Sequence, residues 1–224
     1  MALILNLETA TKTCSVALSK DGDLLVFKEL TSENYSHAEK LNGFIEDVLA
    51  EAGYQIAEVE AVAISAGPGS YTGLRIGTST AKGLCYGLNI PLISINSLKA
   101  LANLVDLEKG LICPMFDARR MEVFTAIYSA DLTEMQATNA LVVEEDSLAG
   151  FQNESITIVG PGAEKCQEML KTNNLIFDLD VQVSAKGMIS LAEEKFNKGQ
   201  FEDVAYFEPA YLKDFVAGPP KKLL

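Results

Sequence analysis

The sequence predicts an α/β protein in which one strand-and-helix unit is used twice. Residues 2–30 read as three consecutive strands, and residues 111–144 repeat that pattern. Each strand set is followed by strand–helix alternation, the mark of layered α/β architecture. The composition supports a packed core: 224 residues, 48% hydrophobic and 22% charged, have too much apolar surface for a disordered chain.

The first half is read as follows. Ala2–Glu8 is a nearly continuous apolar run, which predicts a strand buried on both faces. Thr13–Ser19 alternates at Cys14, Val16 and Leu18, and Asp21-Gly22 predicts a tight turn into a third strand, Leu24–Leu30. Ser36 and Glu39 have the spacing of a helix capping box. Leu41, Phe44, Ile45, Val48, Leu49 and Ala52 then form one apolar stripe, and Gly53 ends the helix. Glu60–Ser65 is a short buried strand. A Gly-rich turn, 66–75, leads into a helix over Tyr71–Leu88. On that helix Gly73, Gly77 and Ala81 recur every fourth residue. Each Gly weakens a helix by about 1 kcal/mol relative to Ala, so a backbone is expected to approach this face closely. Pro91–Ile95 is a strand, and Asn96 or Ser97 caps a helix to Val105.

Asp106–Gly110 is a charged break. It divides the chain into a first lobe, 1–106, and a second, 107–205, with the tail 206–224 expected to pack back on the first lobe. The second half reads as strands Leu111–Phe116 and Glu122–Tyr128 around an Asp117-Ala118-Arg119-Arg120 turn. A third strand is expected near Ala140–Glu144, then a strand Ser155–Val159 and a Gly160-Pro161-Gly162 turn. Helices are expected over Ala163–Lys171 and from Ser184 to Gly199.

Charge and residue counts exclude several functions. A net charge of −13 opposes direct capture of nucleic acid, which needs a field of Lys and Arg. A single His rules out two-His metal motifs. No window approaches the roughly 20 apolar residues that span a bilayer, and the start lacks the basic residues of a signal peptide. Cys14, Cys85, Cys113 and Cys166 form no C-x-x-C and read as buried free thiols, which fits a reducing cytoplasm.

The candidate sites each carry two readings. Glu8 and Thr9, at the end of the first strand, read as a vestigial phosphate or metal-water site, or as side chains satisfying a loop. Gly67 and Gly69 precede a helix N-terminus and could hold an anion, though neither a Walker A nor a Rossmann spacing is present. Gly160 and Gly162 could let an adenosine lie against backbone, or only turn the chain. The 117–120 turn reads as a polar patch for a ligand or as a solvated hairpin. His37, in the first helical turn, reads as an exposed or capping residue. The apolar stripe and the small-residue face read either as core or as an interface between chains.

The string Ser65-Ala-Gly-Pro-Gly-Ser-Tyr-Thr-Gly-Leu-Arg-Ile-Gly77 resembles the TsaB (YeaZ) family, a subunit of bacterial threonylcarbamoyladenosine synthesis on tRNA. The stretches Leu3–Leu18, His37–Leu41, Asp117–Val123 and Glu208–Leu212 resemble further family signatures, with Glu8-Thr9-Ala10 replacing the usual Asp-Thr-Ser. The resemblance implies the ribonuclease H-like fold of actin, sugar kinases and heat-shock ATPases, with two lobes and two duplicated mixed sheets with helices. The catalytic paralogue, TsaD, carries an Asn-His-x-x-x-His metal motif where this chain has Asn96-Ser97-Leu98-Lys99-Ala100-Leu101. Ser97 and Leu101 occupy both His positions and supply no imidazole.

The resemblance therefore implies a non-catalytic partner subunit with no catalytic, metal or cofactor residues of its own. ATP and a metal are expected in the partners, TsaD and the ATPase TsaE, and tRNA is met only indirectly. The expected partner-binding residues, for TsaD or for a homodimer, are His37, Leu41, Phe44, Ile45, Val48, Tyr71, Gly73, Leu74, Gly77, Thr78 and Ala81. A stand-alone phosphotransferase or ATP-binding protein of the same superfamily is the alternative, and a metalloprotease is a third reading that the single His disfavours.

Overall fold

The computed structural model describes residues 2–32 and 37–213. The predicted Ser36 cap and the end of the tail, 214–224, lie outside the described residues. β1 (Leu3–Glu8), β2 (Thr13–Lys20) and β3 (Asp23–Thr31) form an antiparallel meander. The stripe of α1 (His37–Ala52) packs on it, and β4 (Ala61–Ser65) pairs parallel with β1. α2 (Tyr71–Leu88) leads to β5 (Leu92–Ile95), parallel with β4. α3 (Ser97–Ala102) is capped by Asn96, whose side chain accepts from the Leu98 and Lys99 amides.

β6 (Leu111–Asp117), β7 (Glu122–Ser129) and β8 (Glu134–Val142) form a second meander. β9 (Ile156–Val159) and β10 (Leu175–Asp178) extend it in parallel. The two sheets have the orders β3-β2-β1-β4-β5 and β8-β7-β6-β9-β10, so every strand of the first has a counterpart in the second. The predicted duplicated, mixed-sheet α/β fold is the observed one.

Several elements differ from expectation. The third strand of the second lobe begins at Glu134, upstream of the predicted start. The helix expected over Ala163–Lys171 is a single 3-10 turn, Glu164–Cys166. Its apolar residues Ala163, Cys166 and Leu170 still bury against the second sheet, so packing is met without a helix. β10 had no sequence signal.

The lobe boundary also moves. After β10 the chain returns to the first lobe at Ser184, whose hydroxyl caps a 3-10 turn, Ala185–Met188. The turn leads into α4 (Ile189–Asn197). Met188, Leu191 and Ala192 pack with Ile4, Ala63, Ile93 and Ala100, on the sheet face opposite α1 and α2. The returning segment thus starts well before the predicted tail, because the second face of the first sheet is apolar and needs a cover.

Candidate functional site

The loop between β1 and β2 is the hub of the first lobe. Glu8 is fully buried, and one carboxylate oxygen accepts from the Ala10 amide (2.5 Å). The Ser65 hydroxyl accepts from the Thr9 amide (3.1 Å) and bonds the Glu8 carboxylate. The other Glu8 oxygen has no hydrogen-bond partner among the described residues. Burial pushes the carboxyl up from 4.5 to about 7, against the lowering effect of these bonds.

α2 grips this loop through its small residues. A Cβ on Gly73 would collide with the Thr9 carbonyl, and one on Gly77 with the Thr9 hydroxyl and with Ile64 Cδ1 (2.8 Å). A Cβ on Gly69 would meet Ala10 Cβ at 2.7 Å. His37 closes the other side, where its Nε2 donates to the Thr11 carbonyl (2.8 Å). Burial lowers the pKa of its imidazole, while its bonds to the Thr11 and Thr9 carbonyls oppose that. His37 is only 1% exposed, which corrects the expectation of a surface residue.

Most of the predicted partner-binding set is buried within the chain itself. Leu41, Ile45 and Val48 face their own sheet, and Gly73, Leu74, Gly77, Thr78 and Ala81 are buried beneath α2. The close approach inferred from the glycines is real, but the approaching backbone is the loop at Thr9 and Ala10. Only Phe44 and Tyr71 of the predicted set are part-exposed. The helix sides left uncovered are different ones. At 100° per residue, Thr72, Ser79, Gly83 and Gly87 lie on α2 away from its buried face. Gly83 and Gly87, like Gly43 on α1, have nothing within 4 Å of a would-be Cβ.

The predicted anion and adenosine sites are filled by the chain itself. The Gly67 amide donates to Ser97 Oγ (3.0 Å), and the Ser70 amide to the Ala10 carbonyl (2.6 Å). The Ser70 side chain caps α2 by accepting from Gly73 (3.3 Å). Thus the Ser97 hydroxyl holds the Gly67 turn. Across the lobes, a Cβ on Gly160 would stand 2.5 Å from Leu101 Cδ2 and 2.8 Å from the Met115 carbonyl. Gly162 packs on the Met115–Asp117 backbone in the same way and donates to the Met115 carbonyl (2.8 Å). Leu101 belongs to a cluster that joins Ala10, Leu74 and Leu98 of the first lobe to Ile112, Phe116, Phe124 and Val159 of the second. The two lobes therefore pack directly on each other at Leu101 and Gly160.

A strap, residues 202–213, crosses this region. Glu202 bridges Leu92, and Lys82 Nζ donates to the Ala205 and Phe207 carbonyls (3.0 and 3.1 Å). The Ala210 amide donates to the Ala66 carbonyl (2.7 Å). Tyr211 packs on Tyr71, with centroids 4.8 Å apart, and Arg75 stacks on the same Tyr71 ring. Lys213 reaches the second lobe, bonding Glu122 and the Ala118 carbonyl. The 117–120 segment is the predicted hairpin turn, with Arg119 and Arg120 exposed and in left-handed backbone. Nothing in the sequence pattern pointed to Tyr71, Lys82 and Tyr211 as a clasp.

A family model described as tRNA N6-adenosine threonylcarbamoyltransferase (TsaD) matches residues 29–216. The chain is 31% identical to the tRNA threonylcarbamoyladenosine biosynthesis protein TsaB of Escherichia coli, over 96% of both chains. It superposes on the crystal structure of YeaZ from Pseudomonas aeruginosa with a TM-score of 0.84 and 27% identity, over 95% of this chain and all of that one. Ethanolamine utilization protein EutJ of Carboxydothermus hydrogenoformans, at 9% identity and a TM-score of 0.52, covers 84% of this chain and 88% of its own and shares the fold alone. The sequence matches span both lobes and the strap, and the duplicated sheets match in three dimensions: the chain belongs to the TsaB (YeaZ) family.

Proposed function

We propose that this chain is a non-catalytic subunit in tRNA threonylcarbamoyladenosine biosynthesis. It works with the paralogue TsaD and the ATPase TsaE in a complex that transfers a threonylcarbamoyl group from its adenylate to N6 of the adenosine beside the anticodon, releasing AMP. The observation that carries this reading is the packing of Leu101 against Gly160. That contact supports a closed inter-lobe space, with a leucine where the resemblance to the paralogue would put a metal-binding His. The relatives' names supply the pathway. ATP and the metal then belong to the partners, and the reading places the complex in the cytoplasm.

The partner face is assigned to the uncovered side of α2 with the adjoining side of α1, rather than to the buried glycines. Thr72, Ser79 and Gly83 allow a partner helix to approach closely, and the same face could pair two copies of this chain. A net charge of −13 leaves the tRNA contacts mainly to the partners.

Reconstitution tests this. With the threonylcarbamoyl adenylate and ATP supplied, TsaD, TsaE and this chain together are expected to modify tRNA, any mixture lacking this chain is expected to fail, and this chain is expected to co-elute with TsaD. Full modification without it would refute the reading.

A further inference from the structure

The strap does more than cover the lobes. On α2 the side toward Tyr71 and Lys82 meets the strap, whereas Ile76 and Leu84 belong to the same apolar cluster as Leu41 and Phe44 of α1. The uncovered side of α2 is therefore the floor of a valley, with α1 as one wall and the strap as the other. Where α2 meets residues 203–205, the valley deepens into a groove of about 680 Å³ lined by Lys82, Gly83, Tyr86, Asp203, Val204 and Ala205. Gly83 leaves its floor open. Lys82, bound to the two strap carbonyls, holds the wall in place. Tyr86 and the adjacent strap residue Tyr206 are 85% and 84% exposed. Tyrosines in this setting are typical interface anchors, with a large apolar ring and a polar tip.

The charge around the valley selects the occupant. Glu39 and Glu46 are exposed on α1, and Asp203 and Glu208 on the strap, while Glu51 is ion-paired with Lys28 of β3. A second copy would bring another net −13 against them. A basic helix would find complementary charge on both walls.

We propose that the strap is part of the partner interface, and that the groove over Gly83 receives one bulky apolar side chain from a helix of the TsaD paralogue flanked by Lys or Arg. This rests on the partner-subunit reading above. It makes the strap, which ties the two lobes together, directly sensitive to whether the partner is bound.

Calorimetric titration of the full chain into the TsaD paralogue tests it, with wild type, Thr72→Trp, Gly83→Trp and Tyr206→Ala. All three positions are exposed, so the variants are expected to fold, with Gly83→Trp unfolding at or slightly above the wild-type midpoint because a helix glycine is replaced. Each is expected to weaken binding by about tenfold or more, the size expected at an interface anchor. Wild-type binding should also weaken as salt rises from about 50 to 300 mM. If only Thr72→Trp weakens binding, the groove is wrong and the helix face stands. If the wild type does not bind, both readings fall. If Gly83→Trp instead dissolves a homodimer and leaves TsaD binding unchanged, the occupant is a second copy and the proposal is overturned.

Discussion

Leu101 Cδ2 sits 2.5 Å from the point where a Cβ on Gly160 would stand, so a leucine of the first lobe fills the notch left by a glycine of the second. Leu101 is 1% exposed, and Gly160 has a φ of +98°, a conformation that favours glycine. Leu101→Ala removes a buried side chain shared by both lobes. It is expected to lower stability by about 2–5 kcal/mol, read as a shift of the urea midpoint with little change in slope.

Glu8 makes stability depend on pH in a direction unusual for a carboxylate. Its folded pKa of about 7 lies above the ordinary 4.5, so between those values the folded chain holds a proton that the unfolded chain releases. Stability from this group is full below about pH 4.5, falls as pH rises toward 7, and is then level. The loss is on the order of 3 kcal/mol. His37, whose pKa is lowered by burial, acts oppositely: its contribution is present above pH 6.5 and lost as pH falls. Denaturation of wild type and Glu8→Gln across pH 5–8 isolates the carboxylate. Glu8→Gln is expected to gain on wild type as pH rises, and a constant difference would contradict the burial argument.

The helix glycines of α2 divide into two kinds, which one substitution separates. Gly73→Ala drives a methyl into the Thr9 carbonyl and is expected to cost about 1–3 kcal/mol. Gly83→Ala meets open space and is expected to gain about 0.5–1 kcal/mol from helix propensity. Thermal midpoints moving in opposite directions would bear this out.

The first lobe was legible because its signals are local: alternation in β2, the stripe of α1, and the Asn96 cap of α3. The glycine spacing of α2 also announced a close contact, but a missing Cβ reports only that something approaches. It does not distinguish the chain's own Thr9–Ala10 loop from a partner helix. The lone His37 gave no sign that a backbone carbonyl 26 residues away would bury it. In the second lobe, residues 163–171 are good helix formers by composition, yet burial of Ala163, Cys166 and Leu170 is met by one 3-10 turn. β10 is four residues long with polar flanks, too short for period-2 alternation to register. The resemblance singled out Ser97 and Leu101 for the imidazoles they lack, but their partners, Gly67 and Gly160, lie 30 and 59 positions away and only the fold brings them together.

All four thiols are buried and free, and burial raises Cys14 and Cys85 to about 11 and Cys113 to about 12. At pH 8 the native protein is expected to react slowly with a thiol reagent, and all four cysteines are expected to react rapidly in denaturant. A fast-reacting cysteine in the native protein would contradict the burial of that residue.

The central claim is that the space between the lobes is occupied by the protein's own side chains, so the chain acts through a partner and not on a nucleotide. Calorimetric titration of ATP with magnesium into the isolated chain tests this most directly. The account predicts no saturable heat up to about 1 mM nucleotide, a binding free energy weaker than about −4 kcal/mol. Stoichiometric binding in the micromolar range, lost on Glu8→Ala, would contradict it.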